Sequence, residues 1–284
     1  MFRRKKSVIL YLLPGLIGLT AFSLAPFIGG VYFSMTDGTF QNNFVWFDNY
    51  KEIWQNEMFL LGLKNTMTLS LFCAPAIWLL SFLLSILLKS LGSRTVFFRN
   101  ALLLPYLMPS AALLLIWLLM FDYGGVLNRI LVGLGFSRVL WLEGSALRVP
   151  VVALYIWKNL GFSVVIFSSA LQTIPEAYYE YARLEGAGPL RQARQITLPL
   201  LMPTAFLVFI LGWINAFKIF KEAYFIGGAY PDEAVYTLQH FMNNKFARLD
   251  YQDVTTAAYS FAVIVFVFFG LLYATRAVRS ADRT

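Results

Sequence analysis

The stretch Glu180-Tyr181-Ala182-Arg183-Leu184-Glu185-Gly186-Ala187-Gly188, running on to Ile196-Thr197-Leu198-Pro199-Leu200-Leu201-Met202-Pro203, decides how this chain is read. It is polar, broken by glycine, and set between two long apolar runs. A membrane protein does not need so long a polar segment merely to turn around. Pro175 suits the first position of a helix, where its missing N–H costs nothing. Glu176 follows in the first turn, where an acid favours the helix dipole. Tyr178, Tyr181, Ala182 and Glu185 fall on neighbouring faces at helical spacing. Gly186 and Gly188 stop that helix. Pro189 opens a second, short helix carrying Arg191 and Arg194, and Pro199 and Pro203 mark the entry to the next apolar run. The pattern predicts helix, glycine turn, helix, lying at a membrane surface.

Working outward, the 284 residues are 59% hydrophobic and only 13% charged, against about half and a quarter in soluble domains. The excess sits in charge-free blocks long enough to cross a hydrocarbon core about 30 Å thick, which takes roughly 20 helical residues. In lipid such segments must be helices, because every backbone amide needs an internal partner. Six spans are expected, over 8–32, 65–88, 101–121, 149–171, 196–217 and 254–275, within an all-α fold forming a single transmembrane domain over 1–284. Only the fourth span carries a charge, Lys158, and no Asp or Glu falls inside any of them. Arg3-Arg4-Lys5-Lys6 before the first span resembles the start of a signal peptide, but the apolar run is too long and lacks a small-residue cleavage site. It reads as an uncleaved helix, kinked or ended at Pro14 and Pro26.

The net charge of +8 does not point to nucleic acid, because Lys and Arg cluster beside the apolar blocks. With the N-terminus inside, the inside segments hold Arg3 to Lys6, then Lys89, Arg94 and Arg99, then Arg183, Arg191 and Arg194, then Arg276, Arg279 and Arg283, thirteen in all. The outside loops hold Lys51 and Lys64, then Arg129, Arg138 and Arg148, then Lys218, Lys221, Lys245 and Arg248, nine in all. The positive-inside rule therefore places both termini, and the Glu180 loop, in the cytoplasm. The outside loops are rich in aromatics and amides and read as ordered caps rather than linkers.

On physical grounds alone the loop at 172–199 is either an interfacial helix resting on lipid or a surface gripped by a protein. Glu176, Glu180 and Glu185 argue against an anionic leaflet. The residues also resemble the EAA motif of binding-protein-dependent ABC importer permeases: Glu180 and Ala182 match its start, Gly186-Ala187 its centre, and Ile196, Leu198 and Pro199 its end. Tyr181 replaces the second position, Glu185 stands where Asp is usual, and Ala193 stands where an aromatic is common. Trp157-Lys158-Asn159-Leu160-Gly161, Ala170 to Pro175, and Phe217-Lys218-Ile219-Phe220 with Gly227-Gly228 resemble the maltose-type carbohydrate branch of that family. The resemblance implies a type I ABC importer permease fold and a coupling helix, with Glu180, Ala182, Arg183, Glu185, Gly186 and Ala187 meeting a cytoplasmic ATPase. Gly186 would supply a sharp turn and a close backbone approach.

Catalytic constellations are absent. There is no phosphate-binding Gly-x-x-x-x-Gly-Lys loop, so ATP and Mg would be bound by partner subunits and no cofactor by this chain. A lone His240, read as a loop side chain, and a lone Cys73 exclude a disulfide framework and His–His or Cys–His sites. Lys158 either faces an internal cavity or snorkels or bonds to a backbone carbonyl. Gly161, Trp213, Asn215 and Lys218 flank the same outer halves of the fourth and fifth spans. The family resemblance places solute contacts there, and Lys158 is expected to face Asn215.

The resulting expectation is a non-enzymatic permease subunit of an ATP-driven importer, moving a carbohydrate, an oligosaccharide by preference, inward by alternating access. By resemblance it pairs with a second, related permease, two ATPase chains and an extracytoplasmic solute-binding protein in a bacterial or archaeal cytoplasmic membrane. Permeases for a glycerol phosphoester or polyamine are alternatives, as is an ion-coupled carrier, which the missing intramembrane acids oppose.

Overall fold

The computed structural model describes the backbone of residues 2–281 and the side chains of 11–271 apart from Ser93. The side chains of Arg3 to Lys6, Arg276, Arg279 and Arg283, used for the orientation, lie outside the described residues. Every regular element among the described residues is helical, and one isolated bridge pairs Thr36 with Phe44. In chain order these are α1 (Phe2–Leu19), α2 (Ala25–Ser34), α3 (Asp48–Ile53), α4 (Glu57–Lys89), α5 (Thr95–Leu107), α6 (Ser110–Phe121) and α7 (Val126–Gly133). There follow α8 (Arg148–Leu171), α9 (Glu176–Leu184), α10 (Pro189–Gln192), α11 (Leu198–Ala216), α12 (Phe220–Gly227), α13 (Leu238–Ala247) and α14 (Tyr251–Ala281). Among the described residues six helical runs are long and apolar enough to span a bilayer: Tyr11–Ser34, Glu57–Lys89, Ser110–Gly133, Gly144–Leu171, Pro189–Gly227 and Tyr251–Leu271.

Two of the expected spans change in a way that matters. The third is not one rod from 101 to 121. Met108 and Pro109 are extended, with ψ of 143° and 131°, because the residue before proline is driven out of the helical region and proline cannot donate to the ladder. The fifth does not stop at 217. It continues through a tight turn at Phe217–Ile219 into α12 and ends only at Gly228, where φ is +75°. That extension draws Glu222 into an apolar run, so the expectation of no acid within a span is corrected.

Proline does not end the first span either. A π turn at Thr20–Leu24 joins α1 to α2, with the Ala25 N–H bonding back to the Thr20 carbonyl just before Pro26. The same arrangement recurs where α10 meets α11: a π turn at Ala193–Thr197, the Leu198 N–H on the Ala193 carbonyl, then Pro199. The widened turn relieves the clash of the proline ring with the carbonyl four residues back.

The chain divides into two compact units. In the first, residues 1–63 with 238–284, α14 packs on α2 and α3. Tyr259 donates to the Phe27 carbonyl across a gap left open by Gly30. Lys245 closes the α13–α14 turn by pairing with Asp250 at 2.9 Å and Asp253 at 2.5 Å. His240, expected as a loop side chain, is fully buried on α13.

The second unit, residues 64–237, is built on α8, which packs against α5 and α11. Its buried face includes Val164, Phe167 and Leu171 together with Gly161, Ser163 and Ser168, and the last three are small residues that let helices approach without a hydrophobic drive from lipid. A Cβ on Gly161 would drive into the Leu102 carbonyl of α5. Asn65 holds the 228–237 segment by donating to the carbonyls of Glu233 at 2.6 Å and Tyr236 at 2.9 Å. Arg148 adds a bond to the Ala234 carbonyl at 2.6 Å.

Candidate functional site

The loop between α8 and α11 is fixed at one side and open at the other. Pro175 is extended and caps α9, so the helix opens at Glu176, one residue later than expected. Gly186 takes φ +74°. Its N–H bonds to the Arg183 carbonyl at 3.0 Å and the Ala187 N–H to the Ala182 carbonyl at 2.8 Å, the paired bonds of a Schellman stop. Gly186 is therefore needed for its left-handed backbone. A Cβ there meets nothing within 4 Å, so the close approach expected of it has no partner among the described residues. Gly188 has an ordinary extended backbone, and Gln192 ties α10 to the turn by donating to the Ala187 carbonyl at 2.7 Å.

Tyr179 is the buried residue of α9. It packs with Phe82, Phe167, Leu171 and Leu201, and its hydroxyl meets Thr197 Oγ1 at 3.0 Å. Glu176 Oε2 lies 3.1 Å from Lys89 Nζ, and Oε1 lies 2.8 Å from an Arg183 nitrogen. The bond from Lys89 is the main reason the Glu176 carboxyl sits below its ordinary 4.5, with Arg183 assisting. Arg183 is thus folded back on its own helix. The opposite face is bare: Tyr181 is 70% exposed, Leu184 85% and Leu190 84%. Glu180, Glu185 and Gly186 share that exposure, while Ala182 and Ala187 are half-buried. A cleft of about 250 Å³ runs beside them, lined by Tyr181, Ala182, Glu185, Ala187, Arg191 and Gln195 among others. The sequence pattern pointed to the acids, the glycine and the face of Tyr181, but not to Leu184 and Leu190 as part of that face. Their signal was present, since three large apolar side chains in a polar loop have no lipid core to enter.

The second set of expected residues is scattered. Lys158 donates to Ser110 Oγ at the start of α6 and pairs with Glu222 Oε1 on α12 at 3.4 Å. It is not met by Asn215, which instead accepts from Lys218 at 3.1 Å. Trp213 is fully buried, its ring edge-on to Phe217 at 4.9 Å. Gly161 serves the α5–α8 contact described above. Only Asn215 lines the crevice between α8 and α11, together with Tyr155, Asn159, Ser163 and Gly212. That crevice holds about 10 Å³, room for roughly one water. The Tyr155 hydroxyl is buried within it with no hydrogen-bond partner among the described residues. Tyr155, Asn159 and Ser163 recur every four residues, a polar stripe on one helix face. The periodicity is readable in the sequence, beside the more conspicuous charge at Lys158.

The family described as binding-protein-dependent transport system inner membrane component matches residues 92–283. The diacetylchitobiose uptake system permease protein NgcF of Streptomyces coelicolor is 31% identical over 274 residues, covering 89% of this chain and 77% of that protein. The sulfoquinovosyl glycerol transport system permease protein SmoG of Agrobacterium fabrum is 30% identical over 83% of this chain and 78% of its own length. The sn-glycerol-3-phosphate transport system permease protein UgpA of Yersinia pestis is 27% identical over 81% and 78%. A crystal structure of a bacterial ABC transporter involved in import of the acidic polysaccharide alginate superposes with a TM-score of 0.80 over 98% of this chain and 96% of that one. At 23% identity that likeness speaks for the fold.

Proposed function

This chain belongs to the inner-membrane components of binding-protein-dependent transport systems, and from that premise we propose that it moves a carbohydrate, an oligosaccharide by preference, into the cytoplasm as one permease of an ATP-driven pair. The observation that carries the mechanism is the loop at 172–199. It is fastened on one face and presents Tyr181, Leu184 and Leu190 on the other. An apolar, partly acidic surface outside the bilayer suits a cleft in an ATPase better than anionic lipid. Glu180, Ala182, Glu185, Gly186 and Ala187 border that surface, and Arg183 stiffens it through Glu176. Basic residues favour both termini and this loop on the cytoplasmic side.

The carbohydrate reading rests on the relatives named for diacetylchitobiose and a sulfoquinovosyl glycerol and on the chemistry of the crevice. Amide, hydroxyl and aromatic groups from Tyr155, Asn159, Ser163 and Asn215 suit the hydroxyls of a sugar. Lys218 reaches this set through Asn215, Gly161 lets α8 close on α5, Trp213 is buried on α11, and Lys158 braces α8 against α12. The crevice within this chain admits nothing larger than water. The relative named for sn-glycerol-3-phosphate keeps a glycerol phosphoester as the second reading. ATP and Mg belong to the ATPase chains. A second, related permease and an extracytoplasmic solute-binding protein complete the assembly.

Uptake of labelled oligosaccharides and of glycerol phosphoesters into cells expressing the whole system tests this. Sugar uptake that ATP depletion stops and ionophores spare is expected. Uptake that follows an ion gradient, or that accepts only the phosphoester, would defeat the carbohydrate importer. Asn159→Leu should reduce uptake without loss of assembly.

A further inference from the structure

We propose that Lys89, Glu176 and Tyr179 form the joint through which the loop drives α4. This rests on the coupling role proposed above. Lys89 is the last residue of α4, a helix of 33 residues, about 50 Å long at 1.5 Å per residue. Its ammonium is 3.1 Å from the Glu176 carboxylate and 3.7 Å above the centre of the Tyr179 ring. Two attractions of different geometry, an ion pair and a cation over an aromatic face, thus hold one nitrogen against one turn of α9. The positions 176, 179 and 183 lie on a single helical stripe, and Arg183 secures Glu176 from the far side.

Tyr179 carries the connection further. Its ring sits in the apolar cluster of Phe82 on α4, Phe167 on α8 and Leu201 on α11, and its hydroxyl reaches Thr197 in the π turn that opens α11. A push on the exposed face of α9 therefore arrives at α4 through Lys89 and at α11 through Thr197. Remove the Lys89–Glu176 contact, and α9 keeps its chain ends and Tyr179's hold on the apolar cluster and on Thr197, but loses the ion pair to the end of α4. The ATPase would still bind and still hydrolyse ATP, but less of its stroke would reach α4.

A purely structural Lys89 would act by favouring the C-terminal end of the α4 dipole. Glu176→Gln separates the two roles, since it leaves Lys89 in place at that helix end. In the assembled transporter in proteoliposomes, Lys89→Met and Glu176→Gln should each raise the ATP hydrolysed per solute carried by roughly fivefold or more. ATPase should still co-purify, Lys89→Arg should restore most of the ratio, and the double variant should be no worse than either single one. A wild-type ratio in Glu176→Gln, effects that add in full, or loss of the ATPase from the complex would overturn the joint. Spin labels at Ser90 and Ala177 give a second measure with the joint intact. They should keep one separation with and without ATP, and a change between those states would overturn it as well. Failure of the coupling role itself reads differently: the unmodified complex would then take up solute without ATP.

Discussion

Lys158 and Glu222, on α8 and α12, form an ion pair inside the apolar layer, 3.4 Å apart with side chains 15% and 5% exposed. Each is the reason the other can be there, since a single charge at that depth is costly. Lys158→Met strands the carboxylate and should lower stability by about 3–5 kcal/mol, whereas Lys158→Met with Glu222→Leu should recover most of the loss. Thermal unfolding in detergent measures both. A single variant as stable as the parent would mean that the pair does not form.

Gly186 should tolerate asparagine far better than leucine. Both side chains find open space, so the backbone at φ +74° decides. An ordinary L-residue there costs about 1–2 kcal/mol, and Asn less. Gly186→Leu should insert normally yet lose ATPase or its stimulated turnover on co-purification. If Gly186→Asn fails equally, the partner's approach rather than the turn sets the demand for glycine.

Gly161→Ala should loosen α5 from α8, because the added methyl meets the Leu102 carbonyl and overpacking of this kind costs typically about 1–3 kcal/mol. The expected result is a lower melting temperature with unchanged solute preference. A changed preference at unchanged stability would instead make position 161 part of the solute contact.

His240 gives a pH dependence with a definite sign. Burial pushes its imidazole down to about 4 from an ordinary 6.5, so the folded chain holds it neutral while the unfolded chain protonates first. Stability from this group is complete above 6.5 and is lost as pH falls from 6.5 towards 4, by about 3 kcal/mol in all. His240→Gln should flatten that part of the pH–stability curve. An unaltered curve would show that the titration lies elsewhere.

The helix–turn–helix of the loop was legible because its punctuation is local. Pro175, Gly186 and Pro189 act within a turn of themselves. Four of the six spans were legible to within about eight residues, because lipid leaves the backbone no alternative to helix. What escaped were facts decided by distant partners. Glu222 reads as the start of a polar loop, and only Lys158, 64 residues earlier, makes its burial tolerable. Tyr179 and Tyr181 are the same residue type two positions apart, yet one fills the apolar cluster and the other faces outward. Helical phase separates them, but which face is fastened depends on Lys89 and Thr197.

The π turn at Ala193–Thr197 holds one residue more than an α-helical turn would. One residue amounts to about 100° of rotation at 3.6 residues per turn. Were that turn to relax to ordinary α with every residue kept, the loop would swivel by about 100° around the axis of α11. The azimuth at which Tyr181, Leu184 and Leu190 meet their partner is therefore set by one inserted residue held in place by Pro199. Chains that lack either feature would have to present that face from a different residue count.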